Sequence, residues 1–171
     1  MTKLYVLDTA PLLSDWSSRV PDAPLVTLQD ILDEVLNSPS KRRVEALISS
    51  GRLRVESVRS ESVDRVRTKA SDVGDGTKLS STDVEVVALA LSMKELGHDV
   101  ALVSSDLAVL NTAASLGIGT LDTENRFKDR IVWAFRCPAC GFSAKVAPEG
   151  LDCPVCGTQM RRKAVRRLRA V

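Results

Sequence analysis

Four cysteines sit in two matching frames near the end of the chain, Cys137-Pro-Ala-Cys140-Gly and Cys153-Pro-Val-Cys156-Gly, with twelve residues between them. A Cys-x-x-Cys turn presents two thiolates to one ion, and Zn²⁺ prefers four soft ligands in a tetrahedron. The glycine after each pair admits the backbone conformations that turn amides toward sulfur. The spacing therefore reads as a zinc ribbon in which Cys137, Cys140, Cys153 and Cys156 hold one structural Zn²⁺. With four thiolates no coordination place is left for water or substrate. Redox-active pairs are the competing reading, and two Pro/Gly-framed pairs at this spacing fit a shared metal better.

A second set of residues could do different chemistry. Asp8, Glu34, Asp83 and Asp106 each fall where a strand ends or a helix begins. Clustered carboxylates repel one another unless divalent cations neutralise them. Mn²⁺ and Mg²⁺ take oxygen ligands, activate water and neutralise charge building on a phosphate. Such a set would hydrolyse a phosphodiester without a protein nucleophile. Asp8 and Asp83 would serve equally well as plain helix caps. The single histidine, His98, lies in the turn Gly97-His98-Asp99 and reads as a surface residue. Neither a phosphate-cradling glycine loop nor a nucleophile elbow is present.

These residues need a scaffold at defined strand ends. Leu4-Tyr5-Val6-Leu7 is a short apolar run, the pattern of a buried parallel strand. Asp8, Thr9 and Pro11 follow as a helix-start signal. Leu28, Ile31, Leu32, Val35 and Leu36 lie on one helical face, and Asn37 and Pro39 stop that helix. Ser40 to Ser50 reads as another helix, Leu53 to Val58 as a strand, and Ser60 to Ala70 as a charged helix. After the turn-rich Asp72 to Thr77, Ser81 or Thr82 caps a largely buried helix ending at Gly97. Val100 to Val103 is a strand, Leu107 to Leu116 a helix and Ile118 to Leu121 a last short strand. The order β-α-α-β-α-α-β-α-β predicts an α/β sandwich with a mostly parallel sheet. In such sheets ligands gather at the carboxyl ends of the strands, where Asp8 and Asp106 project. Residues 1–124 then form the α/β domain, 125–131 a linker, 132–160 the ribbon and 161–171 a basic tail.

Composition agrees. Aromatics make up only 4% of the chain, so the core must be built from Val, Leu, Ile and Ala. No apolar run is long enough to span a bilayer and no secretory leader is recognisable, so a cytoplasmic protein is expected. The net charge of +2 conceals an asymmetry. Residues 1–131 hold 16 basic and 20 acidic side chains, whereas residues 132–171 hold 8 and 2. A basic end on an acidic body points to a polyanionic partner, with Lys145, Arg161, Arg162, Lys163, Arg166, Arg167 and Arg169 as phosphate contacts. A solvated basic end would carry the same charge. Phe142 would stack on a base or pack in the ribbon, and Trp133 and Phe135 would anchor the ribbon to the body.

Val6-Leu7-Asp8-Thr9, Glu34, Leu79-Ser-Ser-Thr-Asp83 and Val103-Ser-Ser-Asp106 resemble, in this order, the acidic motifs of PIN-domain nucleases. With Gly74-Asp75 before Leu79 and a ribbon at the end, the chain is similar to the Nin-one-binding (NOB) ribosome-assembly endonucleases in their short archaeal form. The resemblance implies a PIN-like α/β/α sandwich and an endoribonuclease that matures the 3′ end of small-subunit ribosomal RNA with Mn²⁺ or Mg²⁺. Its partners would be the precursor rRNA and the pre-ribosomal small subunit. Asp8, Glu34, Asp83 and Asp106 would be the catalytic, metal-binding acids, and Asn111 stands where relatives often carry a polar residue. Many relatives have two acids after the strand; here the first is Ser105, with Asp75 and Asp122 as candidate substitutes. The alternatives are a PIN-type toxin ribonuclease, which the ribbon argues against, and a non-catalytic RNA-binding assembly factor.

Overall fold

The computed structural model describes residues 2–169. Five parallel strands form the central sheet: β1 (Leu4–Leu7), β2 (Leu25–Thr27), β3 (Leu53–Val55), β4 (Val100–Ser104) and β5 (Gly119–Asp122), in the order β3-β2-β1-β4-β5. β1 and β4 lie at the centre, with Leu4 to Leu7 in register with Val100 to Val103. Both are apolar and buried because helices cover both faces. The sequence reading missed β2. It is three residues long, fully buried and without alternation, so only its neighbours reveal it. Thr27, its one polar member, donates its hydroxyl to the Leu7 carbonyl at 2.8 Å.

The helices are α1 (Thr9–Leu13), α2 (Gln29–Glu34), α3 (Ser38–Ser49), α4 (Ser60–Asp72), α5 (Ser81–Glu95) and α6 (Leu107–Ser115). α2 ends at Glu34, before Val35 and Leu36, so Asn37 and Pro39 do not stop it but begin α3. Asn37 caps α3 by accepting from the Ser40 amide, and Pro39 sits in its first turn, where a missing N–H costs nothing. The cap of α5 is Ser80, one residue earlier than expected. Its hydroxyl accepts from the Asp83 amide while the Asp83 carboxylate accepts from the Ser80 amide, a reciprocal capping box. Val84 and Val86 to Leu91 are all buried, so α5 is the central helix of the core. No helix among the described residues is long and apolar enough to cross a membrane.

A second sheet, ordered β7-β6-β8, is antiparallel: β6 (Asp129–Arg136), β7 (Ser143–Ala144) and β8 (Arg161–Arg169). Residues 161–169 are therefore not a loose tail. They pair with β6 along its whole length, from Asp129 opposite Arg169 to Arg136 opposite Arg161. Residues 170–171 of the expected tail lie outside the described residues. The expected linker is also shorter, because β6 already begins at Asp129. Phe135, Cys137, Cys153 and Met160 form a small separate core, against which Phe142 packs.

The hairpin is fastened to the α/β domain through Asn111 and Asp75. Asn111, 4% exposed, donates to the Ile131 carbonyl at 2.7 Å and accepts from the Ile131 amide at 2.6 Å. It also donates to Asp75 at 2.5 Å. The Trp133 amide donates to the Val73 carbonyl at 2.9 Å. At Gly74 a Cβ atom would lie 2.8 Å from both the Cβ and the carbonyl oxygen of Trp133, so only glycine admits the strand this close. Trp133 thus anchors the ribbon, while Phe135 serves the ribbon's own core.

Candidate functional site

The strand order places the topological switch at β1 and β4, and the carboxyl ends of these two strands carry Asp8 and Asp106. Asp8 is the N-cap of α1 and accepts from the Thr9 amide at 2.7 Å. Its other oxygen accepts from the Ser104 hydroxyl at 2.5 Å. Ser104, fully buried at the end of β4, also accepts from the Asp106 amide at 2.9 Å. One hydroxyl therefore links both acids. Asp106 caps α6 by accepting from the Ala108 and Val109 amides. The Thr9 hydroxyl donates to Glu34 at 2.5 Å, which brings the exposed end of α2 to the same rim.

Burial pushes the Asp8 carboxyl above its ordinary value of 3.8. The bonds from Ser104 and Thr9 oppose that shift, and the Asp83 and Asp106 carboxylates add to it. The charges of Asp83 and Asp106 thus reach Asp8, and Glu34 is tethered to its neighbour Thr9, but among the described residues no three of these four acids bring their oxygens within 4.8 Å of one another. Their donors suit an oxygen-seeking divalent cation, which would relieve both the burial cost and the repulsion. The two candidate substitutes are committed elsewhere. Asp75 is locked between Asn111 and Arg162. Burial works against Asp122, yet three amides, of Glu124, Phe127 and Arg126, outweigh it and hold its carboxyl below the ordinary range, so it is the keystone of a turn.

Among the described residues, only the four cysteines bring three or more metal-ligating side chains together with their donor atoms mutually within 4.8 Å. Cys137 and Cys156 sulfurs are 3.4 Å apart, and Cys140 and Cys153 sulfurs 3.6 Å. Sulfurs about 2.3 Å from a tetrahedral Zn²⁺ would stand about 3.8 Å apart, so the cluster fits zinc. The two knuckles are built alike: Gly141 and Gly157 at positive φ return their amides to the Cys137 and Cys153 carbonyls. Among the thiols themselves ionisation is uneven. The Thr158 hydroxyl and amide lower Cys156 to about 6. Cys140 receives the Phe142 amide, yet desolvation and the neighbouring thiols push it up to about 12. A cation is what allows all four to ionise together.

The basic residues divide. Arg161, Lys163, Arg166, Arg167 and Arg169 are exposed on β8, an edge strand, and Lys145 is exposed near β7. Arg162 does not belong with them. Its guanidinium bonds the Gly74 carbonyl at 3.1 Å, pairs with Asp75 and stacks 4.2 Å from the centre of the Trp133 ring. It is an interface residue, its Nε and one terminal nitrogen already bonded to the α/β domain. The sequence reading also missed Ser104 as the positioner of Asp8; a hydroxyl closing an otherwise aliphatic strand was its signal.

A parallel α/β sheet with Asp8 and Asp106 at the carboxyl ends of its two central strands defines a class, and comparison with known proteins agrees. The family model for the PIN domain of ribonuclease matches residues 5–93, and the chain belongs to this family. Among similar proteins, Endoribonuclease Nob1 of Pyrococcus abyssi is 33% identical over 135 residues, 79% of this chain and 81% of that protein. Endoribonuclease Nob1 of Methanothermobacter thermautotrophicus is 30% identical over 138 residues, 80% of each chain. Ribonuclease VapC1 of Thermoplasma acidophilum is 28% identical over 161 residues, 93% of this chain and 77% of that one. The resemblance drawn from the acidic motifs and the ribbon is thus borne out.

Proposed function

We propose that this protein is a metal-dependent endoribonuclease that matures the 3′ end of small-subunit ribosomal RNA, acting in the cytoplasm on the pre-ribosomal small subunit. The observation that carries the reading is Asp8 at the β1/β4 switch point, held by the Ser104 hydroxyl and the Thr9 amide within reach of the Asp83 and Asp106 charges, in a chain that also bears a four-cysteine cluster fit for zinc. The names of the Pyrococcus and Methanothermobacter relatives support the substrate.

Asp8, Asp83 and Asp106 would hold Mn²⁺ or Mg²⁺, with Glu34 at the rim. Such a cation, when bound, polarises the scissile phosphate and activates water for in-line attack. The chain's own groups do the positioning. Ser104 fixes the Asp8 carboxylate in one orientation and Thr9 holds Glu34 toward it. The acid centre repels RNA, so initial grip falls to Lys145 and to Arg161, Lys163, Arg166, Arg167 and Arg169, and affinity should drop steeply with salt. Zn²⁺ on Cys137, Cys140, Cys153 and Cys156 would be structural, keeping β8 in place.

The test is cleavage of an RNA spanning the precursor 3′ end, with Mn²⁺, without added divalent cation, and with the Asp8→Asn chain. Cutting at one site that needs Mn²⁺ and Asp8 is expected. Indiscriminate cutting would instead favour a toxin-type ribonuclease, the name carried by the Thermoplasma relative. Tight binding without any cutting would leave an RNA-binding assembly factor. Zinc analysis should give one ion per chain; far less, with free thiols intact, would overturn the ribbon assignment.

A further inference from the structure

A cleft of about 600 Å³ lies between the start of α6 and the β6–β8 hairpin, and Asp106 stands on its lining. Its volume suits one small ligand of nucleotide size. Five cations line it: Lys78 ahead of α5, Arg126 and Lys128 on the segment leading into β6, and Arg162 and Arg167 on β8. Among the described residues, neither Lys78, Lys128 nor Arg167 makes an ion pair. Arg126 is held by Glu124 at 3.0 Å and donates to the Ser105 carbonyl.

The apolar part of the lining includes Phe127, Leu107 and Ile131. Arg162 already stacks on the Trp133 ring, whereas the half-buried Phe127 sits between two cations. The Phe127 and Arg126 amides are both bonded to Asp122, so this wall is built before any ligand arrives. Three polar residues of the lining, Asp75, Asn111 and Arg162, bond one another. Asp129 is the remaining acid on the lining, and cations still outnumber carboxylates.

We propose that this cleft is a nucleotide subsite. It receives one nucleotide of single-stranded RNA next to the phosphate at the acid centre, its base stacked on Phe127 and its backbone on Lys78, Lys128 and Arg167. The subsite accepts any base, because stacking is sequence-tolerant. It rests on the ribonuclease reading for its ligand class and extends it to a place on the protein. The segment read as a plain linker becomes part of the binding surface.

The test uses full-length, zinc-loaded protein in the Asp8→Asn background and a fluorescein-labelled ten-nucleotide oligouridylate, with anisotropy titrations at several salt concentrations. Phe127→Ala should weaken binding about tenfold without changing the salt slope. The triple variant Lys78→Ala, Lys128→Ala, Arg167→Ala should flatten the logarithmic salt slope by about two. Oligoadenylate should show the same losses. Zinc content and melting temperature verify folding. If a variant does not fold, 4-thiouridine crosslinking to the unsubstituted protein decides, with the adduct expected within residues 123–131. Unchanged affinity and slope in both folded variants, or adducts confined to residues 161–169, would overturn the subsite. The outcomes separate the two ideas: metal-dependent cutting with unaffected cleft variants removes the subsite alone. Lost binding in the cleft variants of a chain that never cuts removes the nuclease reading alone.

Discussion

Asp75 is buried and Asp8 half-buried, and desolvation pushes both carboxyls above the ordinary 3.8. Their neighbours differ. Asp75, 1% exposed, has Asn111 and the Arg162 guanidinium, so its charge is answered inside the protein. Asp8 has one hydroxyl and one amide, and two more carboxylates face it. A buried acid with a built-in cation is an interface. A half-buried acid among other acids is a site that needs something from outside, and perturbed groups of that kind mark functional centres. The molecule uses the same residue type for both.

Substitutions that remove each charge should break this contrast in opposite directions. Asp8→Asn should lower Mn²⁺-dependent cleavage about a thousandfold, roughly 4 kcal/mol of barrier. The same change should raise the melting temperature of the protein without divalent metal at pH 7. The sign follows from linkage. Between pH 3.8 and the raised folded value, the unfolded chain has lost the Asp8 proton while the folded chain keeps it. Stability therefore falls as pH rises through that window. Asparagine removes the penalty, so a lower melting temperature for Asp8→Asn would contradict the picture of a strained acid.

Arg162→Ala attacks the other partner. It leaves Asp75 charged and buried, and breaking such a pair costs about 3 kcal/mol. Urea unfolding should show this loss. In an Asp75→Asn background the same substitution should cost markedly less, since the charge is already gone. Equal costs in both backgrounds would mean that Arg162 acts only through its stacking on Trp133.

Which parts of this were legible in the sequence follows from how local each signal is. The ribbon was legible because its four ligands and their framing glycines lie within twenty residues of one another. The strand-end acids were legible because apolar runs stop at them. β2 was not, since three buried residues between a turn and a helix carry no period. Arg162 looked like its basic neighbours, because its partner lies 87 residues away and only the docked hairpin brings them together. Lys128 and Phe127 read as linker for the same reason: the wall they form exists only once β6 is fastened to α6.

Ser104 gives the smallest and most discriminating test of the comparison. Its hydroxyl is the only side-chain hydrogen bond that Asp8 receives among the described residues, and it stabilises the charged form. Ser104→Ala removes it and leaves the Asp106 amide without that acceptor. Cleavage should fall about tenfold, in line with losses of outer-shell support at metal sites. A purely structural role would lower activity equally at every pH. Loss of a bond to the carboxylate raises the Asp8 pKa further, so the acidic limb of the rate profile should move to higher pH, and Ser104→Thr, which keeps the hydroxyl, should restore it. An unmoved acidic limb would show that Asp8 is oriented by its position at the end of β1 alone.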